Sequence, residues 1–158
     1  MEKKLSLLRH GEAELGNGYD GDFKRKLSDN GTIKLIGLSK ALQRKGMDFD
    51  VLIKSPAFRT MQTAHIITEY IDVKEERIDD RIYESSMDTL LEILTRLPAH
   101  FERVLIVGHN PGLSSLLVYL TNEFNLYLSP GMMAEVTFDL PEWTMITKGS
   151  GSLVEVIQ

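Results

Sequence analysis

The chain has 158 residues, 42% of them hydrophobic and 26% charged, with 18 Lys and Arg against 23 Asp and Glu for a formal net charge of −5. This is the composition of one globular domain, 1–158, with no bias toward nucleic acid or an anionic membrane, so an anionic ligand would need a local cationic pocket. The lack of cysteine excludes disulfides, thiolate nucleophiles and cysteine metal sites, and is compatible with a reducing compartment.

The N-terminus, MEKKLSLLRHGE, is basic, but its apolar stretch of about four residues is too short for a secretion signal. No run approaches the roughly 18 apolar residues of a membrane span, so the expected location is cytoplasmic. Residues 5–8 predict a buried strand that ends on Arg9, His10 and Gly11. Residues 14–30 are rich in Gly, Asp and Asn and predict a long surface loop, with the glycines of GNGYDG as turn formers. Over 31–45, Leu35, Leu38 and Leu42 recur at helical spacing, and Gly46 suits the C-cap. Residues 51–53 predict a second strand, followed by a helix with apolar positions Phe58, Met61, Ala64, Ile67 and Ile71. A further helix is predicted over 87–97 through Leu90, Leu91, Leu94 and Leu97. Residues 104–107 are all apolar and mostly β-branched, the signature of a central strand buried on both faces. Leu113, Leu116, Leu117 and Leu120 mark another helix, and 134–138 and 153–157 are strands. Alternating strands and helices predict an α/β three-layer sandwich with a mostly parallel central sheet.

Two junctions share one design. LIKSPAFRT (52–60) and LIVGHNPGL (105–113) each run from a strand through a turn to an N-cap residue, Ser55 or Asn110, and then proline. Both place a helix N-terminus at the carboxyl end of a strand, where open parallel sheets bind ligands. The Arg9–His10 pair sits at the same kind of end. If these strands are neighbours, Arg9, His10, Arg59 and His109 converge. Two guanidiniums match a tetrahedral oxyanion, and an imidazole beside them can attack phosphorus and carry the phosphoryl group. The arginines would stabilise the transferring group and disfavour protonation of the imidazole. His109 would donate to a phosphoryl oxygen. Arg59 on a first helical turn is unfavourable for the dipole unless it holds an anion. His65 reads as structural and His100 as exposed; the four histidines lack metal-ligand spacing. Met132, Met133 and the NLYLSPG stretch read equally as a lip over the pocket or as core and loop.

The segments RHG (9–11), SPAFRTMQTA (55–64) and VGHNPG (107–112), in this order and each after a predicted strand, resemble the histidine phosphatase superfamily, also called phosphoglycerate mutase-like. The wording VGHNPGL and the short length are most similar to its SixA-type branch of phosphohistidine phosphatases. FKRKLSDNG (23–31) also resembles that branch's R-P-L-[ST]-x-x-G segment, with Lys26 in place of proline and therefore a less rigid loop. The resemblance implies a phosphoglycerate mutase-like fold, His10 as the phosphorylated nucleophile, and Arg9, Arg59 and His109 as the phosphate pocket, with no metal and no cofactor. It also implies a carboxylate acting first as general acid and then as base. Glu84 holds about the right place, with Glu12, Glu14, Asp20 and Asp22 as rivals. The expected activity is that of a metal-independent phosphatase acting on a protein phosphohistidine, such as that of a histidine phosphotransfer domain, because 158 residues leave little room for a cap enclosing small metabolites. Alternatives are a phosphatase of small phosphate monoesters and a noncatalytic phosphate-binding module.

Overall fold

The computed structural model describes residues 2–16 and 21–158. The strands are β1 (Glu2–Arg9), β2 (Val51–Lys54), β3 (Glu76–Ile78), β4 (Arg103–Gly108), β5 (Met133–Asp139) and β6 (Gly151–Ile157). The helices are α1 (Asp29–Arg44), α2 (Phe58–Thr68), α3 (Met87–Thr95) and α4 (Gly112–Thr121), with short 3₁₀ turns at Asp80–Ile82 and Trp143–Met145. One sheet runs in the order β3-β2-β4-β1-β5-β6. Its first four strands are parallel, and β5 and β6 are antiparallel additions beside β1. The mostly parallel α/β sandwich expected from the sequence is what forms.

Strand alternation explains the two cores. Leu5, Leu7, Val51, Ile53, Val104 and Ile106 face α3 and α4, packing with Leu90, Leu94, Leu116 and Leu120. Leu8, Leu52, Leu105 and Val107 face α1 and α2, packing with Leu35, Leu38, Leu42, Ala64 and Ile67. Because β4 is covered on both sides, its apolar run is unbroken, and Val104 to Val107 are fully buried. β3 escaped the sequence reading because its three residues are all exposed and carry no apolar pattern. β1, β4 and β2 lie side by side, so their carboxyl ends form one continuous edge.

The helix predicted over 31–45 starts two residues earlier. Ser28 caps it, accepting from the Gly31 N–H at 3.0 Å. Its Oγ also donates to Glu12 Oε1 at 2.9 Å, tying the helix start to the segment leaving β1. Gly31 is where these two backbones meet: a Cβ there would lie 2.2 Å from the Glu12 carbonyl oxygen. Neither backbone can yield cheaply. Gly31→Ala is expected to destabilise the protein by about 2 kcal/mol or more, read as a lowered urea midpoint; an unchanged midpoint would contradict this packing.

Candidate active site

The end of β1 is fastened from several directions. The His10 N–H donates to the Gly108 carbonyl at 3.1 Å, and the Gly131 N–H donates to the Arg9 and His10 carbonyls at 3.0 and 2.9 Å. The Gly11 N–H donates to Thr63 Oγ1 at 3.1 Å, and that hydroxyl donates to the Arg59 carbonyl at 2.7 Å. A Cβ on Gly11 would meet Leu35 Cδ1 at 2.6 Å, so any larger residue would have to displace that side chain where the turn rests on α1. Gln62, next to Thr63 on α2, accepts from the Leu27 N–H at 2.8 Å and holds the incoming loop.

This frame sets the His10 ring. Nδ1 lies 2.7 Å from the Gly11 carbonyl, which only accepts, so Nδ1 carries the proton. Nε2 is left with its lone pair and accepts from Arg59 Nε at 3.3 Å. Arg59 is only 5% exposed and spreads its other donors widely. Nη1 donates to the Asp22 carbonyl at 2.6 Å; Nη2 donates to Asp22 Oδ2 at 3.3 Å and to His109 Nδ1 at 3.4 Å. The two imidazole centroids are 5.2 Å apart. The Arg9 side chain makes no hydrogen bond to the His10 ring. Its Nη1 donates to the Leu128 carbonyl at 3.1 Å and to the Tyr127 hydroxyl at 3.3 Å, while its Nε is buried with no partner among the described residues. Arg9, His10, Arg59 and His109 thus line one cavity of about 400 Å³, as the strand ends predicted.

The two helix junctions differ from expectation. α2 begins at Phe58, with Ala57 at the N-cap and no side-chain cap. Ser55 does not cap the helix; its Oγ accepts from the Ala57 N–H at 3.1 Å and meets His109 Nε2 at 2.8 Å. Likewise α4 begins at Gly112, and Pro111 rather than Asn110 is the N-cap. Asn110 Oδ1 still accepts from the Ser114 N–H at 3.1 Å, while its Nδ2 donates to the Leu128 carbonyl at 2.7 Å. The helix start lies two residues later than the motif implied in α2 and one residue later in α4, and the polar side chain is left to bond near the site.

Two further residues line the pocket, Tyr83 without a sequence mark and Arg25 at the arginine of the segment that resembles R-P-L-[ST]-x-x-G. Tyr83 stands edge-on to His109 at 5.6 Å and to Phe23 at 5.3 Å, forming one wall, and its hydroxyl bonds Asp22 Oδ2. Arg25, from the loop segment, is a third cation lining the cavity. In the NLYLSPG stretch, Pro130 lines the cavity and Tyr127 touches Arg9, whereas Leu128 and Met133 are core and Met132 packs against it. His65 pairs with Glu69 on the exposed face of α2, and His100 stacks on Phe101; neither lines the cavity.

Among the candidate carboxylates, Glu12, Asp22 and Glu84 line the cavity and Glu14 does not; Asp20 lies outside the described residues. Glu12 accepts from Ser28 Oγ and Asn30 Nδ2, and these bonds hold its carboxyl below the usual range. The Tyr83 hydroxyl and Arg59 hold Asp22 low in the same way. Glu84 has a left-handed backbone, φ 58°, and no hydrogen bond or ion pair among the described residues. Burial of the phenol and its bond to Asp22 push Tyr83 up to about 12.

Both imidazoles are held neutral. Burial first, then the charges of Arg59 and Arg9, lower His10 to about 4 against the opposing Gly11 carbonyl bond. Burial, then His10 and Arg59, lower His109 to about 3. The arginines act in the direction expected from sequence, but desolvation leads.

Residues 5–96 match the profile of the histidine phosphatase superfamily (branch 1). A 2,3-bisphosphoglycerate-dependent phosphoglycerate mutase of Lactococcus lactis subsp. cremoris is 34% identical over 88 residues, covering 51% of this chain and 38% of that protein. The match therefore spans well under half the length of such curated relatives. The fold is similar to that of the protein histidine phosphatase SixA complexed with tungstate, at TM-score 0.84 and 19% identity, covering 98% of this chain and 96% of that one. It is also similar to a provisional phosphohistidine phosphatase SixA from Nakamurella multipartitia, at TM-score 0.83 and 23% identity, covering 99% and 95% of the two chains.

The lowered imidazole values set the pH response. A free histidine protonates near about 6.5, but His10 keeps its lone pair until about 4. In an NMR titration the His10 ring should stay neutral from pH 7 to about 5 and take up its proton near about 4; a midpoint at about 6.5 would contradict the buried neutral ring. The sign for stability follows the same shifts: the unfolded imidazoles take up protons before the folded ones, so both groups weaken the fold as pH falls through that window.

Proposed function

Because the chain belongs to the histidine phosphatase superfamily, we propose that it is a phosphatase whose His10 Nε2 accepts the phosphoryl group, and that its physiological substrate is a protein phosphohistidine. The observation that carries this reading is the His10 hydrogen-bond pattern. Nδ1–H is anchored on the Gly11 carbonyl, which leaves Nε2 as the lone-pair atom facing Arg59. When Nε2 bonds to phosphorus the ring becomes cationic, and the Gly11 carbonyl stabilises that charge. The bond from phosphorus to the leaving nitrogen or oxygen breaks, and that atom takes a proton. Water then attacks phosphorus, the P–Nε2 bond breaks, its electrons return to Nε2, and inorganic phosphate leaves.

The surrounding donors fit the transferring group. Arg59 and His109 flank Nε2, and the buried Nε of Arg9 is a donor with no protein acceptor. Such an unmet donor is costly in the empty site and becomes favourable when an oxyanion arrives. Three arginines line the cavity, so the cationic charge needed for transfer comes from side chains and no metal ion is invoked. Glu84 is the proton carrier in this reading. Glu12 and Asp22 are committed to hydrogen bonds that favour their ionised forms.

A substrate panel tests the reading. The purified protein should be labelled by a phosphodonor in an acid-labile, base-stable form mapped to residue 10. It should hydrolyse phosphohistidine protein in preference to sugar and nucleotide monophosphates. His10→Ala should abolish label and turnover while its unfolding curve stays close to wild type; wild-type turnover by that variant would end the proposal. A small ester preferred by about 10²-fold in kcat/KM, equivalent to about 2.7 kcal/mol, would favour the monoester reading that the mutase relatives support. Glu84→Gln should cost an ester substrate about 10²-fold in kcat. On a phosphoramidate the loss should stay under about tenfold, because the leaving nitrogen protonates readily. Equal losses on both substrates would remove Glu84 from the proton-carrier role.

A further inference from the structure

We infer that Ser55 is a positioning residue that lets His109 change from hydrogen-bond acceptor toward Arg59 to donor toward a bound oxyanion. The inference rests on the phosphatase reading only in that the pocket takes an oxyanion. The protein partners of His109 assign its tautomer. Nδ1 faces Arg59 Nη2 at 3.4 Å, and a guanidinium only donates, so Nδ1 accepts. The neutral ring therefore carries its proton on Nε2, which donates to Ser55 Oγ at 2.8 Å. That tautomer is wrong for the bound state. An oxyanion beside Arg59 offers acceptors only, and the lone pair at Nδ1 would face it.

Ser55 resolves the conflict because a hydroxyl both donates and accepts. It is fully buried, and among the described residues its Oγ has two partners, the Ala57 N–H at 3.1 Å and His109 Nε2. In this arrangement Oγ accepts from both, and its own hydrogen has no acceptor among the described residues. When an oxyanion enters, one proton leaves Nε2 and one arrives at Nδ1, exchanged through solvent, and the ring stays neutral. The Ser55 O–H then turns to donate to Nε2, still accepting from Ala57, and Nδ1–H points at the anion beside Arg59 Nη2. Every polar hydrogen of the group is then paired. The backbone holds Oγ in place for either role: the Ser55 N–H donates to the Val107 carbonyl at 3.3 Å, and Thr60 Oγ1 donates to the Ser55 carbonyl at 2.8 Å.

The test is ¹⁵N–¹H NMR of the imidazole nitrogens at pH 7, with and without sodium tungstate. The proposal expects His109 to carry its proton on Nε2 in the free protein and on Nδ1 with tungstate bound. A His109 that keeps the Nε2 proton in the complex, or that becomes doubly protonated, would overturn it. Ser55→Ala should weaken tungstate binding about tenfold or more and lower kcat/KM similarly; unchanged tungstate affinity in a folded variant would also overturn it. Tungstate needs no turnover, so a tautomer switch in a protein inactive on every phosphorylated substrate would sink the phosphatase reading and leave this one standing.

Discussion

The Arg59 guanidinium is the contact on which the site depends. Its Nε meets one imidazole, its Nη2 meets the other, and its remaining donors reach the loop at Asp22. A planar fork fixes all of these directions at once, which an ammonium could not do. The residue rides on the first turn of α2, a position at odds with the helix dipole, and the packing of α2 on β2 and β4 holds it there. Residues three and four positions along the same face continue the task, with Gln62 pinning the loop at Leu27 and Thr63 pinning the turn at Gly11. One face of one helix thus orients the strand end, the loop and both rings.

The electrostatic balance is local. The protein carries a net charge of −5, yet Arg9, Arg25 and Arg59 share one cavity with two imidazoles held neutral chiefly by burial. Cations and desolvation act in the same direction on a histidine, both opposing its protonation. The same surroundings that would attract an oxyanion therefore keep a lone pair available beside it. Glu12 and Asp22 stay ionised on neighbouring donors, and Asp22 partly offsets the arginines at His109.

Much of this was legible in the sequence because strand order and motif position are coupled. Residues 104–107 announced a doubly covered strand, and the apolar spacing in α1, α2 and α4 announced the covering layers. Arg9, His10, Arg59 and His109 were found because each follows a strand end, and parallel neighbours place such ends together. What escaped had no periodic or positional mark. β3 is three exposed residues. Tyr83 lies in a 3₁₀ connection whose shape depends on tertiary contacts. Ser55 and Asn110 read as N-caps because each precedes a proline; where the helix begins differs by two residues and by one, a shift that local propensity does not resolve.

The reversed direction of β5 has a consequence beyond the sheet itself. Because Met133 lies opposite Leu8 in an antiparallel pair, the stretch entering β5 arrives at the pocket, whereas for β1, β2 and β4 it is the stretch leaving the strand. Tyr127 and Pro130 thus reach the rim on a segment that supplies none of Arg9, His10, Arg59 and His109. The same stretch is not a free loop, because its Leu128 and Gly131 are tied to the Arg9 and His10 end of β1. A change in its length after Tyr127 would therefore be felt at that strand end, whereas a change of side chain at Tyr127 would reshape the entrance alone.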